Sequence, residues 1–302
     1  MIASSPDGFF ALFKPSGLSS AKALNVVKGL LGADKAGFLG TLDVPATGVL
    51  PVALGSATKL IAFLPASDKE YIGELVLGIN TVTDDLSGEP VERRGTAGLR
   101  SADVAEALQR VASRKMQIPP HVSAKRLEGV RGYAAMRSEG RLIDFAPAAV
   151  AVRTLTVLRE RQDGDLRRLT FRIVVTPGFY VRGFCRDVGI ELGCGGAMGR
   201  LLRTMAYGFD VHDAMSLTAL RRRVVEHDLS FLTWGEDRME MLGGLPSLVL
   251  GEMQWKSFEH GVAMQSSLAD AAAVLAFRAE GHLVGVGEVR SGTLYPRKVF
   301  SA

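Results

Sequence analysis

The chain has 302 residues, of which 47% are hydrophobic and 23% are charged, which is typical of a globular protein with a sizeable core. It lacks an apolar run of about eighteen residues and a basic, then apolar, start, so neither a membrane span nor a signal peptide is expected. The formal net charge is +4, and arginine supplies 26 of the 36 positive charges, which permits a nucleic-acid partner. Cys185 and Cys194 suit a reduced cytosol, and the five histidines are scattered, so we predict a cytoplasmic protein without structural zinc.

Apolar spacing and end signals predict the secondary structure of the first two thirds of the chain. The predicted elements are, in order, a strand at 8–14, a helix from Ser19 or Ser20 to about Leu31, a helix at 56–64, a strand at 69–79, a loop at 80–100, a helix at 101–113, a protruding basic segment at 117–147, strands at 149–160 and 166–176, and a helix at 181–192. The order lacks the regular βα rhythm of a doubly wound sheet. It predicts an α+β fold with a mixed, largely antiparallel sheet flanked by helices.

The last sixty or so residues change in character. Short β-type runs at 274–277, 283–287 and 294–300 are separated by glycine-containing turns, a pattern typical of a small barrel or sandwich. We therefore predict a domain boundary near 240–245, with one domain at 1–242 and a small β domain at 243–302.

A single carboxylate stands out in the glycine- and proline-rich stretch that follows the first helix. Asp43 is the only charged side chain from Ala36 to Thr58, and its neighbours are glycines, prolines, threonines and aliphatic residues. A buried strand seldom carries a carboxylate without a partner, because its desolvation is costly. The pattern indicates either a carboxylate held in an apolar cleft for chemistry or an ordinary turn between two core segments.

Several motifs in order resemble those of the bacterial TruB-type tRNA pseudouridine synthases. The family's second motif reads close to GHxGTLDPLATGVLPV followed by GxATK, and the resemblance extends over almost the whole chain. The matching segments are Lys14-Pro15-Ser16-Gly17, residues 37–51, Gly55 to Lys59, Lys69-Glu70-Tyr71, Ile118-Pro119-Pro120 with Ser123-Ala124, Gly178 to Arg182, and Leu192 to Gly196 with Leu201 to Thr204.

The resemblance implies a pseudouridine-synthase catalytic domain followed by a small PUA-like RNA-binding domain. It implies isomerisation of uridine 55 in the tRNA T-loop, after the base has been flipped out of the stack. Asp43 would act at the ribose C1′ as nucleophile or base, with Arg182 as its ion-pair partner. Tyr71 would stack on the flipped uracil and assist proton exchange at C5, while Tyr180 and Leu201 would complete the pocket wall.

The resemblance also implies the partners of the protein. The tRNA T-arm would be the substrate, without a metal, nucleotide or redox cofactor and without a protein partner, and the protein would be a monomer. Phosphate contacts position such a substrate without reading its sequence. The candidates for these contacts are Lys59, Lys125, Arg126, Arg131 and Arg137, for each of which a solvated charged face is the alternative.

Three positions depart from the family pattern. Phe38 replaces a histidine expected to contact the substrate backbone, so it is predicted to wedge or stack there instead. Val44-Pro45 replaces Pro-Leu directly after the aspartate, and Val122 replaces a tyrosine. These changes bear on substrate binding more than on the chemistry.

Two classes of function remain open from the sequence. One is a tRNA pseudouridine synthase, and the other is an RNA chaperone that binds and refolds tRNA with weak or lost catalysis. An aspartate-nucleophile hydrolase of the haloacid-dehalogenase kind is excluded, because it needs a second aspartate where Pro45 stands. Whether the aspartate attacks C1′ or removes a proton from C2′ is also open.

Overall fold

A computed structural model of the chain describes residues 6–122, 126–127, 130–131, 145–233, 244–279 and 283–300. Its α-helices are α1 (Ser20–Leu31), α2 (Ser101–Ala112), α3 (Val181–Glu191), α4 (Leu217–Val225) and α5 (Glu252–Glu259), and 3₁₀ helices occur at Gly55–Leu60 and Val211–Asp213. The strands are β1 (Gly8–Lys14), β2 (Ala36–Phe38), β3 (Thr47–Leu54), β4 (Lys69–Leu77), β5 (Ile79–Thr81), β6 (Pro90–Arg93), β7 (Met116–Gln117), β8 (Arg126–Leu127), β9 (Val130–Arg131), β10 (Ala148–Ala149), β11 (Val152–Asp163), β12 (Leu166–Val175), β13 (Gly196–Ala206), β14 (Phe209–Asp210), β15 (Ser247–Leu250), β16 (Met264–Gln265), β17 (Ala271–Arg278), β18 (Leu283–Arg290) and β19 (Thr293–Val299).

The chain forms two compact units. The first comprises Met1–Leu42, Val49–Ser67 and Ala206–Ala302, and the second comprises Asp43–Gly48 and Asp68–Met205. The boundary predicted near 240–245 falls largely on residues 234–243, which lie outside the described residues. The division into 1–242 and 243–302 therefore stays a prediction.

The second unit is built on a sheet in which the strand order is β13-β4-β12-β11. Strands β4, β12 and β11 are antiparallel, with Tyr71 opposite Ile173 and Gly73 opposite Phe171. Helix α3 packs on this sheet. The ring of Phe184 on the helix lies edge to face with that of Phe171 on β12, and their centroids are 5.7 Å apart. Thr47 and Gly48 add a short parallel pairing at β13, so the pairing is mixed, as predicted.

The first unit contains the amino-terminal strand and helix at the positions predicted for them. Strand β1 pairs with β3, and both are almost fully buried. Helix α1 begins after Ser19, which accepts a hydrogen bond from the Lys22 amide, and ends at Gly32 in the left-handed conformation with φ of 62°. A side-chain acceptor at one end and a glycine at the other satisfy the backbone groups that a helix terminus leaves open.

The carboxyl-terminal part of the first unit contains a small β-sheet, in agreement with the β-type runs predicted there. Its five-stranded sheet has the order β15-β17-β18-β19-β16 and packs on α5, where Phe258 is fully buried. Phe277 of the sheet and Phe300, directly after its last strand, belong to a hydrophobic cluster that also contains Phe9 and Val49. This apolar contact stabilises the sheet on the amino-terminal part of the same unit.

Two local predictions were wrong. The helix predicted at 56–64 is a 3₁₀ helix at Gly55–Leu60, because Pro65 restricts the residue before it and leaves too few residues for a longer helix. The loop predicted at 80–100 contains a short hairpin of β5 and β6. Helices α4 and α5 add to the elements that the sequence predicted.

Candidate active site

The segment Asp43–Gly48 is attached to strand β13 by its last two residues. Thr47 pairs with Leu202 in parallel register, and its hydroxyl donates to the Leu201 carbonyl at 3.2 Å. Gly48 has φ of 106°, and a Cβ at this position would lie 2.2 Å from the Arg203 carbonyl oxygen. Only glycine fits such a close backbone approach, so the glycine in the motif determines where the aspartate segment sits.

Asp43 and Arg182 form an ion pair, as the resemblance implied. The Arg182 Nε atom donates to Asp43 Oδ2 at 2.8 Å, although the two residues are 139 positions apart in the chain. The arginine side chain is 2% exposed, whereas the aspartate side chain is 22% exposed. The carboxylate is therefore fixed by a buried cation while part of it still faces solvent, from which a substrate can approach.

Arg182 has further partners that hold its guanidinium in place. Its Nη1 atom donates to the carbonyl oxygens of Thr83 and Val122, both at 2.9 Å. A second carboxylate, Asp85, lies with Oδ2 3.8 Å from Arg182 Nε. The contact with Val122 uses the backbone, so replacing the family's tyrosine by valine does not remove it.

Asp85 is itself oriented by its own turn. Its Oδ1 atom accepts from the Thr83 hydroxyl and the Ser87 amide, both at 2.9 Å, and from the Ser87 hydroxyl. The residue is 4% exposed. A buried charge with oriented donors on one oxygen presents its other oxygen in a defined direction, here towards Arg182.

Two neighbouring groups have shifted pKa values. Burial raises the pKa of Asp84, although its ion pair with Arg186, at 3.0 Å, acts in the opposite direction. Burial, followed by the nearby charge of Arg203, lowers the pKa of Lys69 to about 8, while Asp68 acts in the opposite direction. A lysine whose charge is unfavourable, at the start of the strand that carries Tyr71, indicates a desolvated and cationic environment.

The residues predicted to form the pocket wall are also in the second unit. Tyr71 and Leu201 are each 7% exposed, and Leu201 Cδ1 would lie 3.4 Å from a Cβ at Gly73. Tyr180 is half-buried directly before α3. Its amide donates to Gln117 Oε1 at 2.8 Å, and the Gln117 amide group donates to the Tyr180 carbonyl at 3.0 Å. This double hydrogen bond fixes the backbone two residues before Arg182.

The predicted substrate contacts Phe38 and Lys59 belong to the first unit. Phe38 is half-buried on β2 and packs against a hydrophobic cluster that includes Leu12. The Lys59 ammonium donates to the Val299 carbonyl at 3.2 Å and lies 5.3 Å from the centre of the Phe300 ring. Both side chains thus have a structural role, whatever part they play in binding.

Several other predicted substrate contacts are not tested. Lys125 and Arg137 lie outside the described residues, and only the backbone of Arg126 and Arg131 is described, in strands β8 and β9. These four positions remain predictions. Across the described ranges, no group of three or more His, Cys, Asp or Glu side chains could hold a metal ion. In the same ranges, no helix is long and apolar enough to cross a membrane.

Sequence reasoning missed two residues that organise the site. Asp85 stands in a stretch that looked like a loop without periodicity, and the only signal was its acidic neighbour in the run Thr83-Asp84-Asp85. Gln117 lies directly before the proline motif and had no local signal at all. Both act through contacts with α3 or with the residue before it, which are distant in the chain.

Solved structures with a similar fold confirm the predicted architecture. A structure described as "Crystal Structure of a Cbf5-Nop10-Gar1 Complex" matches 98% of this chain and 85% of that chain, with a TM-score of 0.71 and 21% sequence identity. A second, "Structure of H/ACA RNP bound to a substrate RNA containing 2'-deoxyuridine", matches with a TM-score of 0.70 and 20% identity. At this level of identity the likeness concerns the fold.

Sequence comparisons identify the family. The model described as "TruB family pseudouridylate synthase (N terminal domain)" matches residues 28–181. A protein of Trichormus variabilis named tRNA pseudouridine synthase B is 35% identical over 295 residues, which are 97% of this chain and 98% of the relative. A protein of the same name from Leifsonia xyli subsp. xyli is 37% identical over 216 residues, 70% of this chain and 71% of the relative. The chain therefore belongs to the TruB family of pseudouridylate synthases.

Proposed function

We propose that this protein is a tRNA pseudouridine synthase that acts on uridine 55 of the T-loop. The observation that carries the proposal is the ion pair of Asp43 with the buried Arg182, in a chain of the TruB family. Relatives at 35% identity over nearly the whole chain are named tRNA pseudouridine synthase B. The T-loop position, the monomeric state and the cytoplasmic location are the finer parts of this proposal and come from the sequence.

The chemistry needs a carboxylate that stays ionised beside the ribose. In the reaction the bond from C1′ to N1 of uracil breaks, the base turns, and a new bond joins C1′ to C5. The proton on C5 is lost to solvent, and N1 gains a proton, so the product is an isomer of uridine. Asp43 would serve at C1′ or C2′, and the Arg182 guanidinium would stabilise its negative charge before the substrate arrives.

The surroundings of the carboxylate fit a flipped base. Tyr71 offers an aromatic face on which uracil could stack, and Leu201 and Tyr180 offer apolar surface beside it. These three residues belong to the same compact unit as Asp43 and Arg182. Pairing with β13 holds the segment that begins at Asp43, and hydrogen bonds to Gln117 hold the backbone of Tyr180. Such a preorganised site lowers the cost of orienting the reacting groups.

Release of tritium tests the proposal directly. We expect the native protein to release label from tRNA that carries 5-tritiated uridine, and to release none when cytidine replaces uridine 55 in the same labelled tRNA. Asp43→Ala should abolish release, by at least about a thousand-fold, with little change in tRNA affinity. Asp165→Ala removes an exposed carboxylate of the same unit and serves as the control.

Two outcomes would contradict the proposal. Tight binding of tRNA without release of label by the native protein would leave the chaperone as the better description. An active Asp43→Ala variant would remove this aspartate from the chemistry.

A further inference from the structure

A further feature of the second unit is a cleft lined mainly by residues of strands β4, β11, β12 and β13. The cleft has a volume of about 630 Å³, and four arginines line it, namely Arg159, Arg161, Arg168 and Arg200. Its acidic lining residues are Glu74 and Asp163. The formal charge of the lining is therefore positive, with four cationic side chains against two anionic ones.

The two acidic residues neutralise the same arginine. Arg168 contacts Glu74 Oε2 at 3.2 Å and Asp163 Oδ2 at 2.5 Å. The other three arginines are exposed and form no ion pair within the described ranges. Because guanidinium groups do not lose their proton in proteins, these charges can be offset only by solvent ions or by an anionic ligand.

The strand register places like charges next to one another. Arg161 on β11 lies directly opposite Arg168 on β12. Like charges opposite one another on adjacent strands are destabilising. Arg200 stands on β13, three strand spacings from β11 in the order β13-β4-β12-β11, or about 14 Å. The unpaired cations thus stand on the two outer strands of this order, with β4 and β12 between them.

The lining of the cleft includes two residues that the proposed active site also uses. Leu201 and Thr47 line it, and these residues join the Asp43 segment to β13. A strand of RNA whose uridine enters the site beside Asp43 must carry its flanking phosphates past nearby surface. A cationic cleft that Leu201 helps to line is complementary to such a backbone.

We propose that this cleft binds the phosphodiester backbone of the RNA strand that flanks the reacting uridine. Arg159, Arg161 and Arg200 contact phosphates, and Arg168 keeps the acidic residues of the cleft neutralised. The inference rests on the proposed function for the identity of the RNA. It adds a binding surface on β11 and β13 to the basic residues that the sequence singled out.

The test compares two charge-matched double variants in binding to a T-arm hairpin RNA at several salt concentrations. For Arg159→Gln/Arg161→Gln we expect the Kd to rise about tenfold, and the slope of log Kd against log salt to fall by about 1.4, since each lost phosphate contact contributes about 0.7. The control, Arg221→Gln/Arg222→Gln, removes two exposed arginines of α4 in the other unit and should change the Kd less than about twofold.

Two further measurements show that the effect belongs to the cleft. Arg159→Lys/Arg161→Lys retains the charge and should retain most of the salt dependence, and thermal unfolding of each variant verifies that it is folded. In tritium release, the glutamine variant should lose kcat/KM by the same factor as its affinity, with the effect mainly in KM.

The outcomes separate the two proposals. A native Kd and slope in the Arg159→Gln/Arg161→Gln variant, or an equal loss in the control, would overturn the cleft proposal while release by the native protein upholds the enzyme. Loss of RNA affinity in a protein that releases no label would uphold the cleft and contradict the proposed function. Competition by polyglutamate without any change in the RNA slope would assign the cleft to an acidic protein and so overturn the proposal.

Discussion

The two arginine sites of the second unit have opposite environments. Arg182 is 2% exposed and lies between two carboxylates and two carbonyl oxygens, so every contact holds it in one position. Arg161 is exposed, and its cross-strand neighbour is another arginine. The first arrangement is the one that the proposed chemistry needs, a charge held in place before the substrate arrives, and the second is the one that the proposed binding of a polyanion needs.

Lys69 supplies the third case, a half-buried cation beside another cation. Burial and Arg203 lower its pKa to about 8, so it can relieve the unfavourable contact by losing its proton. Arginine lacks that option. Burial therefore decides whether a cluster of positive charge is neutralised within the protein or remains available to a ligand.

A large loss of rate is expected when the second carboxylate beside Arg182 is neutralised. Asp85→Asn keeps Oδ1 and its donors but places an amide group where Oδ2 faces the guanidinium. Because Arg182 then loses one of the groups that orient it, the single-turnover rate should fall about a hundred-fold, with the Kd for tRNA changed less than about twofold.

The neighbouring aspartate supplies the control for that experiment. Asp84→Asn alters a carboxylate that pairs with Arg186 instead, at 3.0 Å, and it should reduce the rate far less. Equal losses in both variants would mean that the turn as a whole matters and that Asp85 has no specific role in orienting Arg182.

The next effect concerns the glycine that brings the Asp43 segment against β13. Gly48→Ala would place a Cβ 2.2 Å from a backbone oxygen at a positive φ, so the segment has to move. We expect the free energy of unfolding to fall by more than about 3 kcal/mol, together with loss of activity. Gly178 has φ of 85°, but a Cβ added there would have no atom within 4 Å beyond its chain neighbours. Gly178→Ala should therefore cost only the backbone strain, about 1–2 kcal/mol. Equal stability of the two variants in urea unfolding would contradict the close approach.

The smallest effect is a pH dependence that arises from Lys69. The pKa of Lys69 is about 8 in the folded protein, against 10.5 for an ordinary lysine such as that of the unfolded chain. Between pH 8 and 10.5 the unfolded chain therefore binds more protons than the folded protein. The folded protein gains stability as the pH rises through this range. Lys69→Met removes this gain. The stability of the variant relative to the native protein should therefore decrease by about 1–2 kcal/mol between pH 7.5 and 10, after allowance for partial solvent screening.

Urea unfolding at the two pH values measures this difference. Lys22→Met, at an exposed position of α1, serves as the control for the removal of a lysine. If the difference in free energy of unfolding between Lys69→Met and the native protein does not change with pH, Lys69 is not desolvated in the folded protein.

Much of the architecture was predictable because it depends on local patterns. Strand β1, helix α1 and the two long strands β11 and β12 follow from apolar spacing and from end signals such as Ser19 and Gly32. The sequence alone likewise shows the isolated charge of Asp43 and the order of the family motifs. The short 3₁₀ helix and the β5–β6 hairpin escaped because short elements depend on contacts more than on periodicity.

The tertiary structure alone decided which charged groups meet. Asp43 and Arg182 are 139 positions apart, and without the family resemblance nothing in either segment identifies the other. Asp85 and Gln117 became part of the site only through contacts with α3 and Tyr180, and Lys59 proved to be bound by Val299. The arginine cleft exists because strand order and register bring arginines of β11, β12 and β13 together around it. Propensity and spacing act over a few residues, whereas ion pairs and clefts depend on register between distant segments, so the sequence shows the chemical groups and the fold decides their partners.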